Sequence, residues 1–104
     1  MTRRLEGEEL DRQLAELSGW TRAGESITRT IEFPDFPTAI RAVNAVAADA
    51  EAMDHHPDID IRWRKVTFTL STHSEGGLTQ LDIELATQID QIGNECSGTE
   101  LSAS

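Results

Sequence analysis

Between Glu8 and Ser18, Leu10, Leu14 and Leu17 recur at i, i+4 and i+7, which predicts a short amphipathic helix. Glu8 and Glu9 stand early in it, where the helix dipole favours negative charge, and Ser18-Gly19 is its expected stop. The period then shortens to two. Trp20 to Ala23 and Ser26 to Phe33 flank Gly24-Glu25; Ile27, Ile31 and Phe33 take one face while Thr28, Thr30 and Glu32 take the other. That alternation predicts a β-hairpin, with Arg29 an exception on its apolar face.

Asp35 and Pro37 mark the start of a second and longest helix, as an N-cap carboxylate and an early-turn proline. Its expected apolar stripe is Ile40, Val43, Ala47, Ala50 and Met53, and its many alanines let it lie close to a sheet. Continuing past Met53 would bury Asp54, and Pro57 disfavours helical geometry at His56, so the helix is expected to end near Asp54. Ile59, Ile61 and Trp63 then alternate with Asp58, Asp60 and Arg62, and Val66, Phe68 and Leu70 with Thr67, Thr69 and Ser71. Two more strands follow from this, joined tightly at Arg64-Lys65 without the Gly or Asn that such turns favour. After the loop Ser74-Glu75-Gly76-Gly77, Thr79 and Asp82 form a capping-box arrangement opening a third helix. Leu81, Leu85, Ile89 and Ile92 are its stripe and Gly93 its expected stop. The order α-β-β-α-β-β-α implies an α+β, two-layer fold: a four-stranded antiparallel sheet with helices on one face. Residues 1–93 make one domain, and 94–104 read as a polar tail.

Composition narrows the functional classes. Nineteen acidic against nine basic residues give a formal net charge of −10, which repels phosphate backbones and anionic membranes, so no nucleic acid is expected as a partner. No apolar run is long enough to span a bilayer, and Leu5-Glu6-Gly7-Glu8-Glu9 after the first four residues is unlike a secretory signal. A lone cysteine, Cys96, forms no intramolecular disulfide. The expected compartment is the cytoplasm.

Chemistry gathers at Glu51-Ala52-Met53-Asp54-His55-His56-Pro57, where a helix must stop, and the chain's third histidine, His73, follows downstream. With Asp82 these residues converge from a helix end, a strand end and a helix start, as active sites commonly require. Imidazoles beside carboxylates suit proton transfer, and a dehydration would be well served. The same set, three His and a carboxylate, could bind a transition metal, but neither H-x3-H nor H-E-x-x-H spacing occurs. Each residue also has a plain structural reading. Glu51 can be a solvated helix-end carboxylate, Asp54 and Asp82 caps, His73 an exposed strand end, and Trp20 and Trp63 packing residues. Taken alone, the residues favour proton transfer only modestly.

The spacing of the whole set is more specific. Glu51-x3-His55-His56-Pro57, then Trp63, then Thr72-His73-Ser74-Glu75-Gly76-Gly77-Leu78-Thr79 and Asp82 resembles the pterin-4a-carbinolamine dehydratases, over about Leu5 to Ile92. Gly19-Trp20 resembles that family's early Gly-Trp. The resemblance implies removal of water from a 4a-hydroxy-tetrahydropterin to give the quinonoid dihydropterin, in recycling of the pterin cofactor of aromatic amino acid hydroxylases. It implies no metal and no organic cofactor. By position, His55 and His73 would be general acid and base, His56 would hold the pterin, and Glu51 and Asp82 would orient the imidazoles. Asp54 and Trp63 would shape the pocket, with Trp20 bordering it. A homodimer or homotetramer assembled through sheet edges and helices is also implied. Arg64 departs from the family's frequent Asn at the hairpin tip, and the segment before Trp20 differs in length. The alternative from another class is a family-like binding or assembly module without turnover.

Overall fold

The period-two segments pair into one antiparallel sheet whose two faces differ in chemistry. The computed structural model describes residues 3–96 and 99–100. It runs α1 (Gly7–Ala15), β1 (Thr21–Ala23), β2 (Ser26–Glu32), α2 (Phe36–Met53), β3 (Asp58–Arg62), β4 (Lys65–Leu70), a 3-10 turn (His73–Glu75), α3 (Gln80–Glu95) and β5 (Thr99–Glu100). The expected four strands lie in the order β1-β2-β4-β3. Their register sets Ile27 opposite Leu70 and Ile31 opposite Val66 on one face, and Thr28 opposite Thr69 and Thr30 opposite Thr67 on the other. The threonine hydroxyls meet across the strands at 3.3 and 2.7 Å. On the apolar face, Ile27, Ile31, Val66, Phe68 and Leu70 join Leu10 of α1, Val46 of α2 and Leu85 of α3 in one buried core. Helices therefore cover one face, as the polarity of the strands requires.

Arg29, the exception on that apolar face, is answered by Asp90 of α3 through an ion pair. A Cβ on Gly19 would meet the Arg29 guanidinium at 2.8 Å, so a glycine lets the arginine lie across the chain there. Burial of the charge is tolerable because the partner carboxylate arrives with it.

Four expectations are corrected. The buried stripe of α2 is Ala39, Ala42, Val46 and Ala50, with Ile40 and Val43 half-buried and Ala47 exposed. Three of these four are alanines, small enough for α2 to lie close against α3, and the bulkier Ile40 and Val43 sit half-buried on the flank. Gly93 does not end α3, which continues to Glu95. It is buried, and a Cβ there would meet Ile31 at 3.1 Å, so it is a contact glycine between helix and sheet. Trp63 is not a strand residue: Arg62 pairs with Lys65, leaving Trp63 and Arg64 as the turn. Trp63 carries the positive φ of 59° that so tight a hairpin demands. Lastly, Thr99 and Glu100, within the segment read as a polar tail, add β5 beside Ile31 and Glu32 of β2.

Candidate functional site

Two chain segments, the end of α2 and the approach to α3, build the site. Asp54 adopts the left-handed conformation (φ 52°, ψ 43°), its N–H donating to Glu51 C=O at 3.1 Å while His55 N–H donates to Ala50 C=O at 3.0 Å. This is the Schellman pattern, and it fixes the backbone of His55 directly on the last helical turn. His55 is thereby turned inward, 8% exposed, while His56 faces out.

On the opposing segment, β4 ends at Leu70 and Thr72 continues its inward parity, buried. The chain then loops back: Thr72 N–H donates to Gly77 C=O at 2.9 Å, and Gly76 takes a positive φ of 68°. The segment before α1 holds this loop down. Leu5 N–H donates to Leu78 C=O at 2.7 Å, Arg4 bridges Thr79, and a Cβ on Gly77 would collide with Arg4 Cδ at 2.7 Å. Thr79 then caps α3 in a capping box with Asp82.

Asp82, wholly buried, joins the two segments. One oxygen, Oδ1, lies 2.6 Å from His55 Nε2. The other, Oδ2, accepts from the Thr72 hydroxyl at 2.7 Å and from Thr79 N–H at 2.9 Å. Asp82 caps α3 as expected, and its two oxygens divide: Oδ2 serves the cap while Oδ1 faces His55. A buried carboxylate is costly unless its lone pairs are met, and here three donors meet them.

The remaining expected residues divide into groups. His56 Nε2 lies 2.9 Å from Glu51 Oε1, both side chains exposed. His73 heads the 3-10 turn, exposed, directly after the Thr72 that bonds Asp82. Asp54 is exposed at the left-handed cap. Trp63 is 67% exposed at the β3–β4 turn, with the Arg64 guanidinium stacked 4.9 Å from its ring centroid. Arg64 also pairs with Glu32 at 2.8 Å, so the tip is tied to β2 without an Asn. Trp20 is committed elsewhere: its Nε1–H donates to Asp90 at 2.9 Å, eight residues along α3 from Asp82, or about 12 Å. A cavity of about 270 Å³ between Arg4, Arg22, Glu25 and Gly76 borders the same loop but is lined by none of the three histidines.

Sequence reasoning missed Thr72 as a site residue and took Thr79 only as a cap. The parity of β4, carried two residues past its end, points Thr72 inward and was the available signal. Among the described residues no three of His, Cys, Asp and Glu are placed to hold a metal ion. No helix among them is long and apolar enough to cross a membrane.

Comparison with known proteins identifies the family and the fold. A family model described as pterin 4 alpha carbinolamine dehydratase matches residues 3–92. A protein of Roseiflexus sp. (strain RS-1), named provisionally as a pterin-4-alpha-carbinolamine dehydratase, is 58% identical over 92 residues, covering 88% of this chain and 99% of its own. One of Nocardia farcinica (strain IFM 10152), with the same provisional name, is 56% identical over 91 residues, covering 88% and 96%. Among solved structures, a transcriptional coactivator/pterin dehydratase from Brucella melitensis superposes with a TM-score of 0.82 at 41% identity, over 86% of this chain and 97% of that one. A pterin dehydratase-like RuBisCO assembly factor of the alpha-carboxysome, at TM-score 0.58 and 19% identity over 70% and 84%, shares the fold.

Proposed function

The chain belongs to the pterin 4 alpha carbinolamine dehydratase family, and from that membership we propose that it removes water from a 4a-hydroxy-tetrahydropterin by histidine acid–base catalysis. In this reaction the bond from C4a to the hydroxyl oxygen breaks as a proton is delivered to that oxygen. The ring-nitrogen lone pair forms the new C=N bond, and a ring N–H proton goes to a base. Water and the quinonoid dihydropterin leave, with no net change in protons or electrons. One acid and one base near neutrality suffice, and general acid–base help of this kind is worth about 10²–10⁴ in rate.

The observation that carries the reading is the buried contact of His55 with Asp82. A carboxylate on one ring nitrogen stabilises the imidazolium and leaves the other nitrogen to exchange a proton with substrate. His73 is the second proton-transfer group. His56, held by Glu51, contacts the pterin, while Asp54 and Trp63 edge its site. Trp20, bonded to Asp90, supports the sheet side of α3 and has the weaker claim to a pterin contact. The physiological role we infer is recycling of a tetrahydropterin cofactor in the cytoplasm, by a symmetric homo-oligomer.

The test is to mix purified protein with freshly generated 4a-hydroxy-tetrahydropterin and follow the quinonoid product by absorbance. Formation well above the spontaneous rate is expected. A rate equal to the spontaneous one, in protein that still binds pterin, would replace the enzyme with a binding module.

A further inference from the structure

We propose that Thr72 and Thr79 form a one-way hydrogen-bond chain that keeps Asp82 a pure acceptor and so dictates which nitrogen of His55 does the chemistry. The inference rests on the dehydratase reading for its consequence, but its proton arrangement follows from the hydrogen-bond geometry and ordinary base strengths. Leu81 N–H, which can only donate, reaches Thr79 Oγ1 at 3.3 Å. Thr79 and Thr72 Oγ1 are 2.8 Å apart, and Thr72 donates its hydroxyl hydrogen to Asp82 Oδ2. Thr72 has spent its one hydrogen on the carboxylate, so between the two hydroxyls Thr79 must be the donor. Every bond then points the same way, from backbone to Asp82.

The end of the chain fixes the histidine. Oδ2 already accepts from Thr72 and from Thr79 N–H, so it carries no proton. Oδ1 shares a proton with His55 Nε2, and an imidazole is ordinarily a stronger base than a carboxylate, so that proton sits on Nε2. Neutral His55 is therefore the Nε2–H tautomer, with Nδ1 as its basic atom. Whether His55 serves as acid or as base, the proton it exchanges passes through Nδ1. Thr72 and Thr79 are positioning residues in this scheme: they touch no substrate and act through Asp82.

Two measurements test this independently. Long-range ¹H–¹⁵N spectra of the wild-type protein should show neutral His55 protonated at Nε2; protonation at Nδ1 would overturn the proposal whatever the activity. This arm also holds if the protein shows no dehydration, an outcome that would sink the functional reading and leave the hydrogen-bond chain standing. In the second, Thr72→Val, isosteric and without the donor, should lower kcat by about 10- to 100-fold with KM little changed, the weight of one hydrogen bond to a charged group. Thr72→Ser, which keeps the hydroxyl, should restore most of the rate. A folded Thr72→Val with wild-type kcat, or a Thr72→Ser as slow as the valine, would refute the positioning role. Should the valine variant fail to fold, the wild-type tautomer and the serine variant decide.

Discussion

At the scale of single residues, the histidines differ in surroundings, and the difference predicts their variants. His55 is buried against Asp82, whereas His56 and His73 are exposed. His55→Ala and His73→Ala should each lower kcat by about 10²-fold or more, because in the proposed mechanism each removes a proton-transfer group. His56→Ala should raise KM more than it lowers kcat; the reverse pattern would move His56 from holding the pterin to the chemistry itself. Asp82→Asn sharpens the point. Its amide oxygen can still accept from Thr72 and Thr79, which turns the NH₂ toward His55 and forces Nε2 to accept. The variant should fold yet lose kcat by a factor comparable with His55→Ala, and an active Asp82→Asn would remove the carboxylate from the mechanism.

Between elements, the helix ends do the positioning, and they were only partly legible in the sequence. Asp54 and Pro57 announced that α2 stops, since a buried carboxylate and a proline both oppose continuation, but not that Asp54 itself would take the left-handed backbone. Glycine is the usual occupant there, since a side chain is strained by about 1 kcal/mol or more in that conformation. Asp54→Gly should therefore raise Tm; if activity falls at the same time, the Asp54 carboxylate serves the pterin and the strain is tolerated for function. Unchanged activity would leave Asp54 as a cap alone. At the other end of α2 the cap was fully readable from Asp35 and Pro37. Hydrogen bonds from the Thr38 hydroxyl and N–H hold the Asp35 carboxyl below its ordinary value of 3.8. A lowered folded value means the stabilisation is complete above 3.8 and is lost as pH falls through the folded value. The Tm difference between wild type and Asp35→Asn should accordingly shrink in strong acid, and a difference that stays constant there would deny the carboxylate this role. Periodicity gave the sheet faces but not the rotation of α2 or the use of Gly93, because both depend on how closely helix and sheet approach, a distance no single segment encodes.

For the whole molecule, the sheet is unfinished on one side, and this bears on assembly. Among the described residues β3 pairs with β4 alone, and on or beside it Ile61 and Trp63 are 41% and 67% exposed. Unpaired edges with apolar side chains are what folded proteins usually avoid or cover. A second copy of β3 fits this edge by its own sequence. Antiparallel pairing about a twofold axis at Ile61 sets Asp60 of each copy opposite Arg62 of the other, so that the charges flanking the axis meet their opposites. The net charge of −10 disfavours association in general, which makes local complementarity at this strand the more necessary. Ile61→Lys places two lysines face to face on the axis, and like charges directly opposite destabilise a strand pair. Because Ile61 is already partly exposed in the single chain, the substitution should leave the fold of one subunit intact. Light scattering should find wild type at a multiple of the 11.5 kDa chain mass and Ile61→Lys reduced to a smaller species with an unchanged circular dichroism spectrum. A wild-type protein at 11.5 kDa would refute the homo-oligomer, and a variant of undiminished mass would move the interface from β3 to another surface.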